Sequence, residues 1–265
     1  MLLYLYFVPP SMAWRAVFEF EEKDRCTMPD KREEAVSSSA GARVTATAKA
    51  LRVLDCFTPT QPELSLAQIS RILNMPKSTL LNQLRTLEEA GFLGKSQENQ
   101  TYRLGYKIME LSYCAHAAMP VTQYAVPVME DLQVATGEII YLTSHIGGQV
   151  FYLECVYPSR RAVAYSVSGK TLPMHCTGCG KAMLSQMPTE QVEAIIQKHG
   201  LPSFTQNTIT DHDTLMEQLA VCRRRGYALD NEEETTGVKC VAMAIRTSRG
   251  DVAGALSISG STLSI

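Results

Sequence analysis

Residues 74–87 read NMPKSTLLNQLRTL, a proline inside an apolar helical pattern, followed at once by Lys77, Ser78 and Thr79. Upstream, Ser65 precedes LAQISRILN, in which Leu66, Ile69, Ile72 and Leu73 recur at helical spacing, so Ser65 is expected to cap a helix there. Downstream, Leu80, Leu81, Leu84 and Leu87 resume the spacing, and Gly91 closes the second helix. Proline has no N–H and pushes the residue before it out of helical geometry, so Met75-Pro76 reads as the turn between two packed helices. An earlier helix is expected over 45–57, with Ala48, Leu51, Val53, Leu54 and Phe57 as its apolar stripe and Thr58-Pro59 as its end. After Gly91, Phe92-Leu93, the polar turn SQENQ and residues 101–104 predict two short strands in a hairpin. Helix–turn–helix plus hairpin is a winged helix.

The restarted helix opens on groups suited to an anion. Its first N–H groups have no intrahelical acceptor and carry partial positive charge, and Lys77, Ser78 and Thr79 add donors. Asn82, Gln83 and Arg85 lie further along and carry the side chains that read base edges in a major groove. These six residues, with the cap Ser65, are the candidate DNA contacts. Arg43 and the hairpin residues Lys95 and Arg103 are candidates for backbone or minor-groove contact. The competing readings are a small helical domain with a solvated polar face and, for the hairpin, a solvated tip.

The 265 residues suffice for two domains, and 45% hydrophobic with 20% charged residues is ordinary for a globular chain. Net charge is −2, unevenly spread: residues 41–106 hold eight Lys/Arg against five Asp/Glu, and residues 107–265 hold twelve against fifteen. One part is built to meet an anion and the other is not. Eight cysteines, scattered through apolar segments except at 176 and 179, read as reduced thiols rather than a disulfide framework. No apolar run approaches the roughly 20 residues that span a bilayer, and a cytoplasmic location is expected. Residues 1–40 lack periodicity and read as a disordered or non-native arm, with Met12 and Met28 as alternative starts.

Beyond the hairpin, residues 107–118 and 121–136 read as helices, the first forming a linker (107–120) between a DNA-binding domain (41–106) and a second domain (121–265). In the second domain, strands are expected at 138–146 and 150–156 around Gly147-Gly148, and at 162–167. Helices follow near 178–186, 189–199 and 211–225, then strands at 241–245 and 252–258. Strands flanking a block of helices predict an α+β domain with an antiparallel sheet. Thr177, Gly178, Cys179 and Gly180 open the first of these helices, where free N–H groups favour an organic carboxylate.

In order along the chain, AKALRVLDCF, LSLAQISRILNMPKSTLLNQLRTLEEAGFL, YRLGYKIMELS, TGEIIYL, GKTLPMHCTGCGKAMLSQ, TQNTIT, RRRGYALDNEEETTGVKCVA and GALSISG resemble the IclR family of bacterial transcription regulators, over roughly residues 43–259. The resemblance implies an N-terminal winged helix, a linker helix and a C-terminal GAF-like effector-binding domain. It implies binding to double-stranded operator DNA as a homodimer or homotetramer, adjusted by a small molecule; with the helix start at 177–180 the expected effector is a small organic acid and the expected target a small-acid catabolic operon, with no cofactor. It also places Asp230, Cys240, Ser257 and Ser259 in the effector pocket. Asp230 reads equally as a cap or turn residue before Glu232-Glu233-Glu234, and Cys240 as a buried apolar side chain. The family continues past the SISG strand into a final helix, whereas this sequence stops at Ile265, so an effector domain without that helix is expected.

His175-Cys176-Thr177-Gly178-Cys179 contains Cys-x-x-Cys beside a histidine. A metal- or redox-sensing regulator built on Cys176 and Cys179 is the alternative reading, and a thiol hydrolase using His175 and Asp230 is a further one. A metal site normally needs four ligands, and no second Cys/His pair has matching spacing. No recognisable nucleophile loop accompanies the thiols. The expectation is a regulator with no metal and no catalytic residues, of unspecified sign.

Overall fold

Pro76 ends one helix and starts another in a new direction. In the computed structural model, which describes residues 45–158 and 168–264, α1 (Thr45–Leu54), α2 (Leu66–Leu73) and α3 (Lys77–Glu89) pack around one apolar centre. Ser65 accepts from the Gln68 N–H, and the Gln68 side chain accepts from the Ser65 N–H at 2.8 Å, a reciprocal cap that starts α2. Asn74 ends α2 in the left-handed region at φ 50°, a conformation asparagine tolerates. The Ser70 hydroxyl then donates to the Met75 carbonyl at 2.6 Å and ties the turn to α2.

Val53, Ile69, Leu80 and Leu84 are fully buried in this centre. Several expected core residues are not: Leu51, Ile72 and Leu81 are 57%, 52% and 40% exposed, and Ala48 is exposed as well. Each helix gives the small core a single row of side chains, so an apolar residue one position round the helix faces outward. β1 (Glu63–Ser65), too short to be expected from sequence, joins the hairpin strands β2 (Leu93–Lys95) and β3 (Thr101–Leu104) in the antiparallel order β1-β3-β2. α4 (Tyr106–Ala117) follows and buries no residue.

The described residues divide into two units, 45–119 and 120–264. In the second unit, α5 (Pro120–Thr136) precedes β4 (Ile139–Ile146), β5 (Gln149–Val156) and β6 (Thr171–Pro173). Then come α6 (Gly178–Leu184), α7 (Thr189–His199) and α8 (His212–Arg225), followed by β7 (Ala228–Asn231), β8 (Val238–Arg246) and β9 (Val252–Ser261). The strands form an antiparallel sheet in the order β6-β5-β4-β9-β8-β7. Alternation sorts its side chains. Ile140, Leu142 and Ile245 meet Ala125 and Met129 of α5, while Val150, Ala242 and Ala255 meet Met183, Leu184, Leu215 and Leu219 of α6 and α8. The arm 1–40, Arg43 and the strand expected at 162–167 lie outside the described residues. β6 and β7 were not expected, and β7 makes Asp230 a strand residue at the edge of the turn that follows.

α6 sits against the preceding segment so closely that a Cβ on Gly180 would lie 2.2 Å from the Met174 carbonyl oxygen. Gly180→Ala should therefore cost about 3 kcal/mol through forced backbone movement. Ser65→Ala should cost about 1 kcal/mol through the lost cap. Urea denaturation of the two variants reads both values, and an unchanged midpoint for Gly180→Ala would contradict the packing of α6.

Candidate DNA interface and effector pocket

α3 starts at Pro76 with no side-chain cap, and its first helical bond runs from the Leu80 N–H to the Pro76 carbonyl. The N–H groups of Lys77, Ser78 and Thr79 therefore lack an intrahelical acceptor and face outward with the positive helix end. Lys77, Ser78, Asn82 and Arg85 are exposed together, whereas Thr79 and Gln83 are half-buried at the edge of that face. Ser65 stands apart: its hydroxyl is engaged in the cap of α2. In the hairpin, the Lys95 ammonium rests 5.5 Å from the centroid of the Tyr102 ring, and Arg103 is exposed. Lys95 is thus anchored at its base, not loose at a tip.

In the second unit, Thr177, Gly178, Cys179, Asp230, Cys240, Ser257 and Ser259 line one cavity of about 290 Å³. Strand register brings the sheet residues together. Asp230 pairs with Cys240 and Cys240 with Ser259 across β7, β8 and β9, and Tyr141 pairs with Ser257 across β4 and β9. Gly178 lets α6 close over them, since a Cβ there would meet the Cys240 Cβ at 3.3 Å. Gly180 does not line the cavity; it is the close-packing position against Met174.

The Thr177 hydroxyl is committed as well. It donates to the Pro173 carbonyl at 3.1 Å and accepts from the Gly180 N–H at 3.2 Å. The cap thus engages the Thr177 hydroxyl, named as a possible ligand donor, and the Gly180 N–H, and leaves the Gly178 and Cys179 N–H groups at the helix start. Ser259 accepts from the Cys240 thiol at 3.0 Å. Asp230 Oδ1 accepts from the Glu233 N–H at 2.8 Å, so the strand residue also holds the turn that follows it. Burial, joined by the Glu233 carboxylate, pushes the Asp230 carboxyl up to about 6 against the opposing pull of that N–H and of Lys181.

Other lining residues carried no readable sequence signal. Tyr141 and Tyr152 meet edge-to-face, with centroids 5.1 Å apart, and burial pushes the Tyr152 phenol far up. Lys170, Leu172, Glu234, Thr235 and Val238 complete the wall. Behind it the Lys181 ammonium of α6 donates to Glu233 in a buried ion pair. Thr205 and Thr208 hydroxyls donate to the Glu232 and Glu233 carbonyls, each at 2.6 Å, and the Asn207 amide donates to the Asn231 carbonyl at 3.1 Å. The TQNTIT segment thus clamps the acidic turn. A lysine within the apolar run GCGKAML was the one available hint of a buried partner.

The thiol readings find no chemistry here. His175 Nε2 lies 3.0 Å from the Pro202 carbonyl, and Cys176 donates to the Pro173 carbonyl at 3.8 Å. Burial pushes Cys176 up to about 12 and also raises Cys179, so neither holds the thiolate a nucleophile needs. The seven cysteines of the described residues are free, and no three His, Cys, Asp or Glu side chains among those residues converge as a metal site. Among them, too, no helix is long and apolar enough to cross a membrane.

Comparison with known proteins agrees with both halves. Residues 46–96 match the IclR helix-turn-helix domain, and residues 114–265 match the bacterial transcriptional regulator IclR C-terminal domain. The chain is 34% identical over 211 residues to the HTH-type transcriptional regulator XynR of Escherichia coli K12, covering 80% of this chain and 84% of the relative. It is 32% identical over 199 residues to the HTH-type transcriptional repressor AllR of the same organism, covering 74% and 72%. Among solved structures, the IclR of Thermotoga maritima superposes with a TM-score of 0.64 at 27% identity, covering 84% of this chain and 90% of that one. An IclR homolog from Microbacterium hydrocarbonoxydans, complexed with 4-hydroxybenzoate, gives 0.71 at 26% identity, covering 82% and 89%. With a family model matching most of its length and regulators aligned along both units, this chain belongs to the IclR family and is a ligand-responsive, DNA-binding transcriptional regulator rather than an enzyme.

Proposed function

We propose that this regulator acts in the cytoplasm on a small-acid catabolic operon, binding its operator through α3 and the hairpin and taking a small hydroxylated organic acid into the 290 Å³ cavity. The carrying observation is the convergence of strand hydroxyls, two helix N–H groups and one lysine on that cavity. Ser257, Ser259, Tyr141 and Tyr152 offer groups for ligand oxygens, Lys170 supplies a cation that the sequence did not point to, and Asp230 accepts from a ligand hydroxyl. The complex of the Microbacterium homolog with 4-hydroxybenzoate supports a carboxylate, and the E. coli repressor supports repression as the mode. Calorimetry with a panel of hydroxy and keto acids tests the pocket. Equal affinity in wild type, Ser257→Ala and Asp230→Asn would remove these residues from it.

Self-association belongs to the same reading. The apolar residues Ile108, Leu111 and Ala115 fall at helical spacing along α4; Ile108 is half-buried and the other two are exposed, and Tyr106, Met109 and Tyr113 add exposed surface at 80%, 68% and 76%. Among the described residues none of α4 is buried, so its exposed apolar side chains suit a second copy. Met109→Glu with Tyr113→Glu should therefore shift light scattering from dimer or tetramer toward monomer and weaken operator binding. Undiminished operator affinity in a monomer would contradict the proposal.

On the DNA side, Arg85→Ala should cost about 1–3 kcal/mol and relax base preference at one position. Lys77→Ala should weaken all sequences alike and lower the salt slope by about one. Anisotropy titrations at several salt concentrations read both. Binding that does not distinguish a selected palindrome from random duplex would contradict the assignment of α3.

Asp230 also predicts a pH dependence without effector. Its folded-state value of about 6 lies above the ordinary 3.8, so the folded protein holds this proton longer than the unfolded chain. Its contribution is fully present below about pH 4 and lost as pH rises through about 6. The stability of Asp230→Asn relative to wild type should thus rise by roughly 2–3 kcal/mol between about pH 4 and pH 7. A difference flat in pH would place the carboxyl in a more solvated setting.

A further inference from the structure

Leu81 breaks the pattern of its neighbours. Leu80, Leu84 and Leu87 are 0%, 0% and 8% exposed, while Leu81 keeps 40% of its surface in solvent. On an α-helix, side chains three and four apart are neighbours. Lys77 and Ser78 therefore precede Leu81 on its own face and Arg85 follows it, with Asn82 alongside. All four are exposed. The leucine is thus an apolar centre in a polar surface that occupies the first turns of an uncapped helix. Further along, Glu88 and Glu89 bring negative charge, which limits the part of α3 that can enter DNA to the turns around Leu81.

A singly exposed leucine is ordinary on a protein surface. This one is distinguished by what surrounds it. If α3 lies in the major groove with its first turns toward the bases, the side chain flanked by Lys77 and Arg85 faces base edges, not phosphates. It can neither donate nor accept a hydrogen bond, so it matches none of the polar groups displayed there. The apolar group that the major groove presents is the C5 methyl of thymine. We propose that Leu81 is a specificity-determining residue that packs against a thymine methyl in each operator half-site. The proposal rests on the assignment of α3 as the groove-reading helix, and it adds a base preference that the polar candidates cannot supply.

The test uses the full chain. An operator is selected from a pool of random duplexes, each of its thymines is replaced singly by deoxyuridine, which removes only the C5 methyl, and affinity is measured by fluorescence anisotropy. One position per half-site should weaken about fourfold in wild type, the loss expected for one buried methyl. Leu81→Ala should bind about equally with thymine or deoxyuridine there, and Leu81→Met should retain the difference. Both variants should keep the wild-type salt slope, because no phosphate contact is touched. A selected operator with no methyl-sensitive position, or sensitivity that persists in Leu81→Ala, overturns the role of Leu81 and leaves the α3 assignment standing. Failure to select any operator overturns the α3 assignment itself, and the role of Leu81 with it.

Discussion

The buried ion pair between Lys181 and Glu233 joins the two halves of the candidate effector pocket. Lys181 belongs to α6, whose start closes one side of the cavity, and Glu233 belongs to the turn after β7 that supplies Asp230, Glu234 and Thr235 to the other. Both side chains are almost wholly buried, at 3% and 7% exposure. Such a pair adds little net stability over apolar residues of similar size, but loss of one partner leaves an uncompensated buried charge costing about 3–5 kcal/mol. The pair therefore acts as a geometric constraint: α6 and the acidic turn must stay in register. The Thr205 and Thr208 hydroxyls reinforce it by fixing the carbonyls of the same turn.

Helix starts show the same economy of donors. α2 is closed by Ser65 and Gln68, and α6 by Thr177, so neither spends its cap on a partner. α3 begins at a proline, which brings no capping side chain, and keeps its first N–H groups open beside a lysine and a serine. α4 and α7 also start without a side-chain cap, at Gly105 and Pro188, so an open start does not by itself mark a site; at α3 it coincides with the exposed Lys77, Ser78 and Arg85, where an anionic partner is expected. Sequence separates Ser65, whose Gln68 completes a reciprocal cap, from Pro76, which has no hydroxyl to offer, whereas the cap made by Thr177 was not read from sequence.

Elements with a local cause were readable from sequence. Proline placement and leucine spacing gave α2, the turn and α3, and Gly147-Gly148 gave the β4–β5 hairpin. β1 and β6 were missed because they have three residues each and pair with strands distant in sequence, and β7 because its four residues, ALDN, carry too little alternation to be read although β8 follows directly after the acidic turn. The seven cavity residues were named from a local helix start and from the family resemblance, but their convergence depends on cross-strand register, which spacing does not encode. Tyr141, Tyr152 and Lys170 were missed for that reason, and Glu233 was missed because its partner lies 52 residues away. Leu81 was misplaced because apolar type fixes that a helix packs, but not its rotation to within one residue.

The pocket wall has two sorts of material. Tyr141, Cys240, Ser257 and Ser259 stand on strands β4, β8 and β9, whose ladders fix them on both sides. Asp230 sits on the edge strand β7, and Glu234 and Thr235 lie on the turn beyond it, held by one ion pair and a few hydroxyls. A ligand gripping both sorts of group is recognised by the rigid side, and its energy of binding acts on the less constrained one. Asp230 sharpens that division, because burial and the Glu233 carboxylate make its charge costly and a ligand hydroxyl donating to it would relieve the cost. A ligand regulates only to the extent that it binds two arrangements unequally. In this domain Asp230, Glu234 and Thr235 are the lining groups with the least ladder support, so two such arrangements would differ first at the acidic turn.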